Sequence, residues 1–137
     1  MRKQPRWNVF SDKCPTRMVL SRIGDKWTVL IVIAIAEEAK HFGMLKREVQ
    51  GISQKMLTQT LRSLERDGIV KREVLPSRPP RVEYSLTRLG VTLVTLVEDI
   101  RSWSEGHIVE VLAAQRRIDQ LTRETESRRL RKTMQGA

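Results

Sequence analysis

Ser53-Gln-Lys-Met-Leu-Thr-Gln-Thr-Leu-Arg-Ser-Leu-Glu-Arg-Asp-Gly68 is the stretch on which the reading of this chain turns. Met56, Leu57, Thr60, Leu61 and Leu64 recur at helical spacing and make one apolar stripe. Gln54, Lys55, Thr58, Gln59, Arg62 and Arg66 fall on the other faces. Ser53 suits an N-cap and Asp67-Gly68 a left-handed stop, so the spacing predicts a helix over 53–66. Taken alone, its polar and basic face is also what an ordinary solvated helix presents.

Upstream, Phe42, Leu45, Lys46 and Val49 predict a short helix stopped by Gly51. Before it, Asp25 is placed to cap a helix in which Trp27, Leu30, Ile31, Ile33, Ala34 and Ile35 are apolar on most sides, as a central buried helix should be. Glu37, Glu38 and Lys40 are expected to end it in solvent. A shorter helix, with Met18, Val19, Arg22 and Ile23 at helical spacing, should start at Pro15 and close at Gly24. Residues 1–13 show no periodicity and contain Pro5, and read as an arm whose Trp7, Val9 and Phe10 dock on a neighbour.

Downstream, two alternating stretches, Ile69 to Leu75 and Arg81 to Leu86, flank Pro76-Ser-Arg-Pro-Pro80. They predict a β-hairpin with a basic tip, because the prolines exclude internal sheet positions. Thr87 then caps a long helix with Leu89, Leu93, Leu96, Ile100 and Trp103 at spacings of 4, 3, 4 and 3, continuing through His107, Val111, Ala114, Ile118 and Leu121. Such a seam needs a partner helix, and in so small a protein the partner is expected to be a second copy. Leu93, Leu96, Ile100, Trp103, His107 and Val111 are its candidate interface residues. From residue 116 both charge signs mix and large apolar residues thin out, so the helix is expected to fray into a basic tail. The expected organisation is an arm at 1–13, one domain at 14–115 and a helical extension at 116–137.

Length and composition narrow the function classes. The 137 residues suit one domain with a hydrophobic core, and an apolar share of 39% is too high for a disordered polycation. The net charge of +10 favours an anionic partner, nucleic acid or an acidic membrane surface. It is localised: residues 1–26 carry +5, 40–81 carry +6 and 116–137 carry +4, whereas 82–115 carry −3. Val29 to Ala36, the longest apolar run, is far short of the ~20 residues that span a bilayer, so no integral membrane protein is expected. One cysteine forms no intrachain disulfide, and the N-terminus lacks an apolar core of signal-peptide length, which points to the cytoplasm. Gly-rich phosphate loops, nucleophile–histidine pairs and metal-spaced carboxylates are absent, so no enzyme and no cofactor are expected. His41, His107 and Cys14 complete no zinc set; His107 and Trp103 read as interface residues and Trp27 as a core or interface aromatic.

Helix, turn, helix and a basic hairpin have the layout of a winged helix-turn-helix, a mainly α fold with a small β-hairpin wing. Gln pairs with adenine and Arg or Lys with guanine in the major groove of double-stranded DNA, while Ser and Thr serve bases or phosphates. Ser53, Gln54, Lys55, Thr58, Gln59 and Arg62 are therefore the candidate DNA contacts of the second helix, with capping the first task of Ser53. Arg78 and Arg81 are the candidates on the wing. They would also keep a loop soluble, but the flanking prolines stiffen the tip and favour phosphate contact.

Cys14-Pro15, Ile23-Gly-Asp-Lys-Trp-Thr-Val-Leu30, His41-Phe-Gly-Met-Leu45, residues 51–64 and Pro79-Pro-Arg-Val-Glu-Tyr-Ser-Leu-Thr87 together resemble the HxlR family of bacterial transcriptional regulators, relatives of the MarR-type repressors. The resemblance spans residues 12–112 and implies a homodimer joined by N- and C-terminal helices, two winged helices on a palindromic operator, and more often repression than activation. It also implies that the cysteine matching Cys14 senses oxidants or small-molecule electrophiles. A small, partly buried hydrophobe is the competing reading of Cys14, although Lys13, Arg17 and the N-terminus of a following helix would all favour its thiolate. Two other classes compete: a nonspecific nucleoid-associated or RNA-binding protein, which the charge alone would serve, and a thiol enzyme, which lacks a resolving cysteine. The Gln and Thr content of the 53–66 face speaks against the first.

Overall fold

The computed structural model describes residues 6–136, so residues 1–5 of the expected arm, Pro5 among them, and Ala137 lie outside the described residues. Along the chain run α1 (Thr16–Ile23), α2 (Lys26–Ala34), β1 (Lys40–His41), α3 (Phe42–Glu48), α4 (Gln54–Arg66), β2 (Val70–Leu75), β3 (Arg81–Leu86) and α5 (Arg88–Gln135). They form two compact units, one ending at Glu98 and one beginning at Asp99. No helix among the described residues is long and apolar enough to cross a membrane.

In the first unit the expected caps are in place. The Trp27 N–H donates to Asp25 Oδ1 at 2.8 Å and the Met56 N–H to Ser53 Oγ at 3.1 Å, each satisfying an otherwise orphaned amide at a helix start. α4 ends at Arg66 with Asp67 as its C-cap, and Gly68 follows with φ +74, a conformation that an added Cβ would oppose. Ile31 and Val32 from α2 and its C-cap Ile35 meet Leu45 of α3, Leu57, Leu61 and Leu64 of α4, and Ile69 and Val70 at the root of β2. Full burial of each such side chain stabilises the fold by about 1.5–3 kcal/mol relative to exposure.

Several expectations change. Lys40 does not end a helix in solvent: α2 stops at Ala34, and Lys40 with His41 forms β1, which adds to the hairpin to give an antiparallel sheet of order β1-β3-β2. Its Nζ lies 2.6 Å from Glu48 Oε2. Met56 drops out of the apolar stripe and is exposed, as is Leu30. β2 does not alternate, because after Val70 its residues are exposed until Leu75. Trp7, Val9 and Phe10 are exposed rather than docked within the chain. Leu93 packs against the unit's own core beside Val94 and the buried Val97, so this turn of the seam is already occupied.

The start of α5 is fastened to the turn after α4. Thr87 N–H donates to the Ile69 carbonyl at 3.1 Å, the Thr87 hydroxyl bonds the Gly68 carbonyl, and the Gly90 N–H donates back to Thr87 Oγ1 at 3.0 Å. Gly90 makes this closeness possible, since a Cβ there would stand 2.1 Å from the Ile69 carbonyl oxygen.

The second unit is the rest of α5. It stays helical to Gln135, where the composition had suggested fraying, and is exposed almost throughout; only Ala113, Ala114 and Ser127 are half-buried.

Gly90→Ala should destabilise the chain by about 1–3 kcal/mol in denaturant titration, as an overpacked contact with backbone does. Gly106→Ala, with nothing within 4 Å of the added Cβ, should instead stabilise by up to about 1 kcal/mol. Equal effects at the two glycines would contradict the packing described.

Candidate nucleic-acid interface

The buried stripe of α4 leaves its opposite side to solvent. Gln54, Lys55, Gln59 and Arg62 are exposed, Thr58 is half-buried, and these five line one shallow concavity. The Thr58 hydroxyl donates to the Gln54 carbonyl at 2.9 Å, which fixes its rotamer and leaves its oxygen lone pairs and methyl for an outside group. Ser53 oxygen is engaged as the cap, so any contact it makes to a phosphate is additional to that task.

Arg78 and Arg81 are brought elsewhere. Both are exposed at the wing tip, which is braced by Ser77, whose N–H donates to the Leu75 carbonyl at 2.8 Å and whose hydroxyl donates to the Pro79 carbonyl at 2.9 Å. With His41, Phe42 and Gly43 they line a concavity of about 530 Å³. The tip therefore borders the start of α3, and the candidates divide into an α4 group and a wing group.

A third grouping escaped the sequence reading. Thr58, Arg62 and Glu65 of α4 share a cleft of about 340 Å³ with Arg72 of β2 and Tyr84 of β3, which are direct neighbours in the strand register. The two guanidinium groups and the Tyr84 phenol are hydrogen-bond donors suited to phosphate oxygens, whereas the Thr58 hydroxyl is already donated to Gln54 and the Glu65 carboxylate opposes an anion. The available signal was strand alternation: Arg72 lies two residues from the buried Val70, on the same side of β2.

Cys14 is half-buried immediately before α1, with Sγ 3.0 Å from Thr16 Oγ1. Its pKa is held below the ordinary cysteine value, chiefly by the Thr16 hydroxyl and next by the Thr16 backbone N–H at the helix start, with burial opposing. Arg17 acts in the expected direction as the smallest of these causes, and Lys13 is not among them. Arg17 is occupied in holding the arm: its Nε donates to the Val9 carbonyl at 2.8 Å and its Nη2 to the Phe10 carbonyl at 2.9 Å.

Of the seam residues, Leu96, Ile100, Trp103, His107 and Val111 are exposed. Trp103 and His107 stack with ring centroids 4.8 Å apart.

A family model described as HxlR-like helix-turn-helix matches residues 22–112. The HTH-type transcriptional regulator YtfH of Escherichia coli (strain K12) is 43% identical over 106 residues, covering 77% of this chain and 84% of its own length. The solved structure of the transcriptional regulator YtfH from Salmonella typhimurium superposes with a TM-score of 0.74 at 40% identity, over 80% of this chain and 97% of that one. The redox regulator HypR in its oxidised form gives a TM-score of 0.64 at 43% identity, over 68% and 96% of the two chains. Cys14 and everything after Leu112 lie outside the span of the family model.

Since Thr16 leads the causes that favour the Cys14 thiolate, Thr16→Val should move the midpoint of the pH profile for iodoacetamide alkylation upward and slow the reaction at neutral pH. A midpoint that stays where the wild type has it would leave the depressed pKa without its cause.

Proposed function

The chain belongs to the HxlR-like helix-turn-helix family, whose members are DNA-binding transcriptional regulators rather than enzymes, and from that footing we propose that it is a sequence-specific repressor acting in the cytoplasm. A homodimer occupies a two-fold operator, with one α4 in a major groove and one wing on the adjacent backbone per subunit. The observation that carries this reading is the α4 face itself, where Gln54, Thr58 and Gln59 stand beside Lys55 and Arg62, all backed by a buried stripe. Gln and Thr discriminate base edges, which a phosphate binder working by counterion release would not need.

Each group has its own task in this reading. Gln59 and Arg62 contact base edges, Arg78 and Arg81 hold backbone phosphates, and Arg72 with Tyr84 receives a phosphate beside the groove. Leu96, Ile100, Trp103, His107 and Val111 supply the dimer contact, joined by Leu93 from the rim of the core. Regulation is a population shift. An oxidant or electrophile modifies the Cys14 thiolate as a mixed disulfide, an intersubunit disulfide or an adduct, disturbs the Arg17 hold on the arm, and favours a dimer whose α4 spacing no longer suits successive grooves. The kinship with a protein described as a redox regulator supports this assignment.

Titration against the intergenic DNA beside the gene tests specificity, and equal affinity for scrambled DNA at physiological salt would leave only a nonspecific binder. Gln59→Ala and Arg62→Ala should flatten base preference at fixed operator positions, whereas Arg81→Ala should weaken all sequences alike and lower the salt slope by about one. Matched effects from all three would remove the division of tasks. Separately, Cys14→Ser should retain operator binding and lose release by diamide or a quinone; release that persists in the variant would exclude the thiol.

A further inference from the structure

Residues 113–135 of α5 lie beyond the family match and have no role so far. On this unit Trp103, Val111, Ile118 and Leu121 are exposed, and their spacing sets them on one side of the helix. Past Leu121 the same spacing lands on Thr125, Arg128 and Lys132, so the stripe turns from apolar to cationic. Charge is divided along the helix in the same direction. Residues 99–110 carry −2, 111–115 carry no charge, and 116–132 carry +4.

These gradients select an orientation for a second helix. Two parallel copies would set Arg128 and Lys132 against their own duplicates and bring every cation of 116–132 alongside another. Two antiparallel copies, turned about the uncharged stretch, set the basic segment of each along the acidic segment of the other. With the axis between residues 113 and 114, Arg117 falls opposite Glu110 and Arg128 opposite Asp99, while Arg116 and Arg123 fall one position from Glu110 and Glu105. Exposed ion pairs are individually weak, so the apolar stripe supplies the attraction and the charges choose the direction.

We propose that residues 99–132 of α5 pair antiparallel with the same residues of a second copy, which makes the basic extension a self-docking arm rather than a DNA tail. The proposal rests on the homodimer reading above and adds the segment and its direction. It is tested on the full chain carrying Cys14→Ser and Thr125→Cys, with a nitroxide at 125, by sedimentation velocity and electron–electron distance measurement. Antiparallel pairing places the two labels about 35 Å apart at 1.5 Å rise per residue, while a label at Ala113→Cys should find its duplicate within roughly one interhelical spacing, about 10 Å. A dimer with 125 labels about 10 Å apart is parallel and overturns the proposal. A dimer with neither distance overturns it as well but leaves the homodimer standing, and a monomer removes both. As a second measurement, Arg117→Gln with Arg123→Gln should weaken dimerisation about threefold to tenfold at low salt. Unchanged dimerisation with a reduced salt slope for DNA would make the segment a DNA arm instead.

Discussion

The first unit depends on how closely α5 approaches the turn that ends α4. Gly68 adopts a positive φ, Ile69 turns its carbonyl to the Thr87 amide, and Gly90 presses its bare Cα against that same carbonyl. A residue with a Cβ at position 90 would force the helix away from the strand root. Because the same turn sets where β2 leaves α4, this contact fixes the hairpin relative to the helix that carries the polar face. The Arg22–Asp67 ion pair, 2.6 Å long and partly shielded from water, ties α1 to the same place. One short turn thus receives α1, α4, β2 and α5.

This explains why the candidate site is an open surface of side chains and shallow clefts rather than an enclosed cavity. α4 is held by Leu57, Leu61 and Leu64 on one side, so its other side is presented at a fixed rotation. Thr58, restrained by the Gln54 carbonyl, and Arg62 sit next to Arg72 and Tyr84 because β2 packs along the helix. The wing tip, stiffened by prolines and by Ser77, approaches the start of α3 instead. Two donor-rich surfaces on a rigid frame lower the entropy cost of meeting a regular, repeating polyanion.

Much of this was legible in the residues because the governing interactions are local. The apolar period of 53–66, the caps at Asp25, Ser53 and Thr87, and the proline-broken hairpin depend on neighbours a few positions away. What escaped depends on distant partners. β1 is a two-residue strand that exists only because Tyr84 and Glu83, far along the chain, offer backbone groups to Lys40 and His41. Arg72 reads as one more surface cation until the sheet lays it beside α4. Leu93 belongs to the seam by spacing and to the core by packing, since Gly90 and Val97 turn that part of α5 inward. Persistence of the helix to Gln135 follows from its many good helix formers, Arg, Glu, Gln and Leu, which local charge mixing had obscured.

On α4 the residues that hold the fold and those that face outward are almost disjoint. Leu57, Thr60, Leu61 and Leu64 are buried, and the Thr60 hydroxyl is satisfied within the helix by the Met56 carbonyl at 2.8 Å. Substitutions at Gln54, Lys55, Gln59 or Arg62 disturb none of that packing, and exposed positions of this kind usually change stability by no more than about 0.5 kcal/mol. The vocabulary written on the outer face can therefore drift, or be rewritten by design, while the scaffold stays intact. In the proposed reading, divergence of target choice among copies of such a gene would then meet little resistance from folding.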